Sequence, residues 1–367
     1  MSRVVITGLG CLSAAGCGVD PFVAALASRR RLGEEQEVRA PRGRSRSLRV
    51  AKIPSFDRQA LLPARKLRRM GEASQLWTLA CREAHLHAGL DPSTAAQAAP
   101  PEMRGTFLGT GFGCTDTTWD YLEGVFRDGM ATASPFLFAE SVANSPAGHS
   151  AIELDARGAC VTLTCGDASA AAAAIAGERA LRDGRLELAY CGGLELMSPP
   201  LLHALASLAG PSSLGEGAAC FVLETLGSAR ARGAHIFAEV AGSGMASDPL
   251  ASATSWTARP EPIREAMRKA LDSAAKLDPE KPDRIGKVML HACGRPESDE
   301  AERRAAEAVC PGVAQDAVSS VMGTHAAAGG LALLAAALEV ERSGSVLLSA
   351  HAWGGSAYAL VLRSLAA

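Results

Sequence analysis

Strand-length apolar runs alternate with helical patterns along the whole chain, and its two halves close in the same way. "GEGAACFVLE" (215–224) and "GGSAYALVLR" (354–363) each run from glycine through small residues into an apolar strand that ends on a charge. A chain with this pattern is restricted to an α/β fold built by internal duplication. Strands are expected over 4–7, 105–113, 160–164, 186–191, 219–223, 236–240 and 287–293, with a final pair inside 345–363. Helices are expected over 21–28, 73–88, 168–182, 262–276 and 299–309. A strand running into a helix is expected at "VSSVMGTHAAAGG" (318–330). The halves divide at 1–230 and 231–367 as one compact unit, and 367 residues with 48% hydrophobic content suffice to bury a large core. The arginine-rich stretch 28–50 reads as a solvated surface loop.

Charge and composition narrow the function. Basic and acidic residues nearly balance, 37 against 39, so no overall field recruits nucleic acid or an anionic membrane. The opening apolar run is too short for a secretory segment, and no run of about 18 uncharged apolar residues offers a membrane span. A cytoplasmic protein is expected. Ten cysteines without CxxC spacing point to reduced thiols, with neither a metal site nor a cofactor implied.

Two strand-to-helix turns carry the chemistry, one at Cys165–Asp167 and one at Gly323–His325. Such turns aim a side chain and a helix N-terminus at one point, where negative charge is favoured. Asp167 reads either as a helix cap or as a functional acid, and His325 either as a satisfied polar residue or as a site residue. The glycine-rich "GTGFG" and "GEGAA" lack the spacing of phosphate loops.

Several longer stretches resemble the β-ketoacyl synthases of the thiolase superfamily, nearly end to end. They are "RVVITGLGCLSAAG", "ARKLRRMGEASQLWTLACREAHLHAGLDP", "SPFLFAESVANSPAGHSAIELDARGACVTLTC", "LRDGRLELAYCGGLEL", "LGEGAACFVLETLGSARARGAHIFAEVAGSGMASD" and "SAHAWGGSAYALVLR". The resemblance implies a five-layered αβαβα fold of two duplicated halves and a dimer. It also implies a nucleophilic cysteine, two histidines and a lysine, and these positions have changed. The nucleophile falls on Asp167, the first histidine on Cys293 in "HACGR", and the lysine on Ser320; His325 alone matches, as the second histidine.

A carboxylate acylated from a thioester gives a mixed anhydride, far above the donor in energy, so condensation on this chain is not expected. An ionised Asp167 also repels a malonyl carboxylate. Cys165 lies beside that carboxylate and before the helix N-terminus, which disfavours a thiolate; it reads as core.

The pattern resembles the chain-length factor, the subunit that pairs with a catalytic ketosynthase in type II polyketide and aryl-polyene systems and bounds its acyl tunnel. By that resemblance Leu137 and Phe138 border the partner's tunnel, while Phe112 and Trp353 take gating positions beside this chain's own altered site. Arg65, Arg68 and Arg69 match a patch that docks acyl carrier protein, which reaches this subunit through its partner. The stretches after "CGGLEL" and after "LALLAAALEVERSG" are shorter than the family's. Two alternatives are a stand-alone thiolase-fold acyltransferase, hydrolase or cyclase using Asp167 and His325, and a structural homodimer.

Overall fold

The computed structural model describes residues 2–39, 43, 45–90, 98–207, 213–279 and 284–365. Within them, the principal sheet has eleven strands, of which the two-residue Gly16–Cys17 pairs only with the first and the other ten form one continuous path: β1 (Val4–Ser13), β2 (Arg104–Gly109), β3 (Cys160–Leu163), β4 (Leu188–Glu195), β5 (Gly217–Thr225), β6 (Ala238–Ser247), β7 (Lys287–Leu290), β8 (Gln315–Ala317), β9 (Ser345–His351) and β10 (Ser356–Arg363). The first five are ordered β3-β2-β4-β5-β1 and the second five β8-β7-β9-β10-β6. Counted within each half, both orders read third, second, fourth, fifth, first. The halves meet where β1 and β6 pair antiparallel through Val5↔Glu239 and Ile6↔Ala238.

The duplication extends to single residues. The ladder β1–β5 slips by one residue at Thr7, and β6–β10 slips at Ala241. Directly after each bulge comes a Gly-x-Gly pair. A Cβ on Gly10 would lie 2.0 Å from the Ala80 carbonyl oxygen, and one on Gly244 2.0 Å from that of Ala266. Only glycine lets an outer helix sit this close to the first strand of each half.

Those outer helices are α1 (Glu72–His87), packed on β1 and β5, and α3 (Pro260–Leu277), packed on β6 and β10. Between the two half-sheets lie α2 (Ser169–Arg182) and α4 (Gly330–Ser343), which also touch each other. Helix, sheet, paired helices, sheet and helix make five layers. The alanine run of α2 serves this middle position: alanine favours helix and its small side chain admits neighbours on every side. Ala171, Ala173 and Ala174 are accordingly buried, with Leu331, Leu334 and Val340 from α4 in the same core.

Two local expectations are corrected. Stretch 28–50 is not a free loop: Glu34–Arg39 and Ser45–Ala51 form a hairpin whose second strand runs parallel to Ser213–Gly215. Val38, Leu48 and Val50 bury against the helix Pro199–Ser207. The inward positions, Val38 on the first strand and Leu48 and Val50 on the second, alternate with charged and polar residues that mask the strand period; residues 40–42 and 44 lie outside the described residues. At 318–330 the strand ends at Ala317, and a short helix (Ser319–Met322) leads into a left-handed loop before α4. Residues 208–212 of the shortened stretch after "CGGLEL" also lie outside the described residues. All ten cysteines are free thiols, and no helix among the described residues is long and apolar enough to cross a membrane.

Candidate functional site

Asp167 sits on a 3-10 turn, Gly166–Ala168, between β3 and α2, and it is buried. Gly166 turns the chain with φ +56, and Ser169 Oγ fixes the turn by accepting from the Cys165 amide at 2.8 Å and donating to the Thr110 carbonyl at 3.0 Å. The Asp167 carboxylate does not cap α2. It points instead to two histidines from the second half. His325 Nδ1 donates to Oδ1 in a short hydrogen bond, and His291 Nε2 donates to Oδ2 at 3.2 Å.

His325 comes from the loop between the short helix and α4. Along it Gly323, His325, Ala327, Ala328 and Gly329 all have positive φ. Three non-glycine residues in the left-handed region store strain, which the packing overcomes. A Cβ on Gly329 would lie 2.4 Å from the Asp167 carbonyl oxygen, so the loop presses directly on the turn that carries the acid.

His291 follows β7, and His351 ends the neighbouring β9. The His351 amide donates to His291 Nδ1 at 3.2 Å, which leaves the His291 proton on Nε2, facing Asp167. Glu302 accepts the backbone amides of His291 and Ala292, each at 2.9 Å, and lies beside the His351 ring. Burial alone would raise the Glu302 pKa, but the His351 charge and hydrogen bond outweigh it and hold the group at about 2. At Asp167 too burial opposes the charge, and the two histidines overcome it, keeping the carboxyl well below the usual range. Glu195 goes the other way: burial pushes it well above that range, against hydrogen bonds from the Gly111 and Phe112 amides, and the negative Asp167 adds to the rise.

Aromatic rings close the site. The Phe112 ring stands edge-on to His325 at 5.6 Å and to Trp353 at 5.2 Å. Trp256 adds a third, at 5.6 Å from His291, 5.5 Å from His351 and 6.1 Å from Trp353. The cavity that His291 and His325 both line has a volume of about 20 Å³. That holds one water and no acyl chain.

Of the residues singled out in the sequence, Asp167, His325, Phe112 and Trp353 converge here. Cys293 does not reach Asp167: its thiol lies 3.3 Å from Asp299 Oδ1, and His291, two residues earlier, makes the contact. The segment is not extended there: Ala292 between them has φ +47, so the two side chains part. Ser320 is exposed and donates to the Ala317 carbonyl at 2.7 Å, away from the carboxylate. Cys165 is half-buried with its sulfur 3.5 Å from the Tyr358 hydroxyl. His291, His351, Trp256, Glu195 and Glu302 escaped the sequence reading because nothing local distinguishes them from ordinary strand-end residues.

Leu137 and Phe138 lie on the helix Pro135–Glu140, with Phe138 58% exposed. Beside them Trp119, Leu122 and Phe126 project from the helix Thr115–Asp128, Phe126 with 85% exposure. Glu140 ties the shorter helix down, accepting from the Gly71 amide at 2.8 Å and from Ser74 Oγ at 2.6 Å, with His149 Nε2 also 2.6 Å away. Arg65, Arg68 and Arg69 are exposed and form no ion pair among the described residues, whereas Lys66 between them pairs with Glu153.

Chemically, a carboxylate that accepts a hydrogen bond from Nδ1–H leaves a neutral His325 with its lone pair on Nε2, the arrangement of an oriented base. That Nε2 is buried with no hydrogen-bond partner among the described residues. No residue at the turn offers a thiolate in the position Asp167 holds.

Comparison with known proteins agrees with this architecture. The chain is 30% identical over 92% of its length to the ketoacyl synthase alpha subunit of the tetracenomycin polyketide synthase of Streptomyces glaucescens, covering 85% of that protein. Among solved structures it resembles the ishigamide ketosynthase/chain length factor, with TM-score 0.84, 23% identity and full coverage of both chains. It also resembles a ketosynthase in complex with its chain length factor from Xenorhabdus doucetiae, with TM-score 0.81, 17% identity and coverage of 99% and 98%. Residues 1–229 match the family model described as beta-ketoacyl synthase, N-terminal domain, and residues 237–347 the corresponding C-terminal domain, so this chain belongs to the β-ketoacyl synthase family.

Proposed function

We propose that this chain is the non-condensing subunit of a heterodimeric β-ketoacyl-[acyl carrier protein] synthase, acting in polyketide, aryl-polyene or fatty-acid-like biosynthesis. One observation carries the reading. The residue at the nucleophile's turn is a carboxylate committed to two histidines, beside a cavity of about 20 Å³. An acyl group transferred to it would form an anhydride, far above the donor thioester in energy. Halves 1–230 and 231–367 then act as one scaffold, and bond formation takes place on a ketosynthase partner.

The partner meets the exposed apolar face of helices Thr115–Asp128 and Pro135–Glu140, where Leu137 and Phe138 border its acyl tunnel and limit product length sterically. Acyl carrier protein is delivered mainly to the partner, with Arg65, Arg68 and Arg69 as the charged residues on this side. The solved structures that this fold resembles, each a ketosynthase with its chain length factor, support such a pairing. The experiment is co-expression with a catalytic ketosynthase from the same organism, followed by size-exclusion chromatography and intact-mass analysis with acyl-carrier thioesters. The acyl adduct is expected on the partner alone; a covalent adduct and carbon–carbon bond formation on this chain in isolation would refute the proposal.

A second reading rests on the unpartnered Nε2 of His325: a stand-alone acyltransferase, hydrolase or cyclase with Asp167 orienting that base. Thioester turnover by the purified chain, lost in His325→Ala, would favour it. A structural homodimer is the third, favoured if the chain self-associates and binds no ketosynthase.

A further inference from the structure

The helix Pro135–Glu140 is built inside out. Its aromatic residues face water, Phe136 with 46% and Phe138 with 58% exposure, and the one residue it buries is Glu140, at 4%. Six residues are too few to sustain a helix by themselves, and none of its apolar side chains is fully buried to hold it. Its position therefore depends on the carboxylate.

Four donors converge on that group. Oε2 accepts from the Gly71 amide at 2.8 Å and from Ser74 Oγ at 2.6 Å, both at the start of α1. Oε1 accepts from Ser145 Oγ at 2.9 Å and from His149 Nε2 at 2.6 Å, both on the helix Ser145–Glu153. Burial opposes the charge of Glu140, but these bonds outweigh it and keep the carboxyl below its usual range. A Cβ on Gly71 would lie 3.2 Å from Oε2, so α1 begins directly against the carboxylate. The chain that follows is tied as well, because Thr118 Oγ1 donates to the Ser141 carbonyl at 3.0 Å.

We propose that Glu140 is the positioning residue of the partner-docking surface. Its carboxylate fixes the helix before a partner arrives, with Phe136 and Phe138 outward and Leu137 between them, so that association does not bear the entropy of ordering this segment. The inference rests on the heterodimer reading given above, and it assigns that interface a residue buried beneath it.

Two measurements test this. In the isolated full chain, hydrogen exchange followed by mass spectrometry should show the amides of residues 136–142 exchanging about tenfold faster or more in Glu140→Gln, with α2 and α4 as protected as in the wild type. His149→Ala, which removes one donor of the four, should shift the same amides in the same direction by less, and it serves should Glu140→Gln not fold. In the pair, affinity for the catalytic ketosynthase should fall about tenfold in Glu140→Gln, and the product lengths should spread because Leu137 and Phe138 are no longer held. Unchanged exchange at 136–142 in both variants would overturn the inference. So would faster exchange there with the affinity and product lengths of the wild type. A wild-type chain that binds no ketosynthase refutes the heterodimer reading instead, and the exchange comparison still decides whether Glu140 holds the helix.

Discussion

Asp167 accepts the Nδ1 proton of His325 from 158 residues away in sequence, and that single contact ties the turn of the first half to the left-handed loop of the second. Each group would be a liability alone: a buried carboxylate without a cation, and a strained loop without an anchor. Together with His291 they form the polar centre of the middle layer.

Asp167→Asn should therefore destabilise the protein, by about 3–5 kcal/mol if the loss follows other broken buried ion pairs. The pH dependence has a definite sign. Asp167 and Glu302 are both depressed in the fold, so their stabilisation is present above the unfolded carboxyl value of about 4 and is lost as pH falls below it. Urea midpoints at pH 7 and pH 3 should fall steeply with acid in the wild type. In Asp167→Asn the fall should be shallower, because one of the depressed carboxyls is gone.

The aromatic wall predicts accessibility. In Asp167→Cys the new thiol should resist a maleimide, because Phe112, Trp256 and Trp353 close the approach. Trp256 also lines a neighbouring cavity of about 490 Å³, and adding Trp256→Ala should join it to the site and expose that thiol. Site-resolved mass spectrometry distinguishes it from the ten native cysteines, and equal labelling with and without Trp256 would show that the ring is not the barrier.

The exposed apolar face predicts association. Phe126→Asp or Phe138→Asp should abolish co-elution with the catalytic partner while shifting the isolated chain's stability by no more than about 0.5 kcal/mol, as for other surface changes. Leu137→Ala and Phe138→Ala should lengthen the products of the assembled pair. Unchanged product lengths would remove these two side chains as the ruler.

Close approach of helix and strand predicts which glycines matter. Gly10→Ala and Gly244→Ala each drive a Cβ to 2.0 Å from a helix carbonyl and should prevent folding or lower the melting temperature severely. Gly124→Ala, within the helix Thr115–Asp128 with nothing within 4 Å of the added carbon, should stabilise by about 0.5–1 kcal/mol. Thermal melts of the three variants make the comparison.

Much of this was legible in the chain itself. The repeated endings expose the duplication because a strand buried on both faces must be written in small and apolar residues wherever it recurs. The alanine run after Asp167 announces a helix with neighbours on all sides, as α2 proves to have. The acid at the turn is visible by counting residues, and with it the loss of a thiol nucleophile. The hairpin at 34–51 was hidden because charged and polar residues are interleaved with the few apolar residues, Val38, Leu48 and Val50, that face inward.

What the sequence by itself determined is the order of elements, their duplication and the chemical identity of the turn residue, since these depend on local pattern and on residue type. Only the tertiary structure decided that His291 rather than Cys293 reaches Asp167 and that Trp256 packs on His291, His351 and Trp353 around it. The reason is geometric. These relationships join strand ends and loops far apart in the chain, or turn on which way a side chain leaves a strand end, and neither is encoded in any local period.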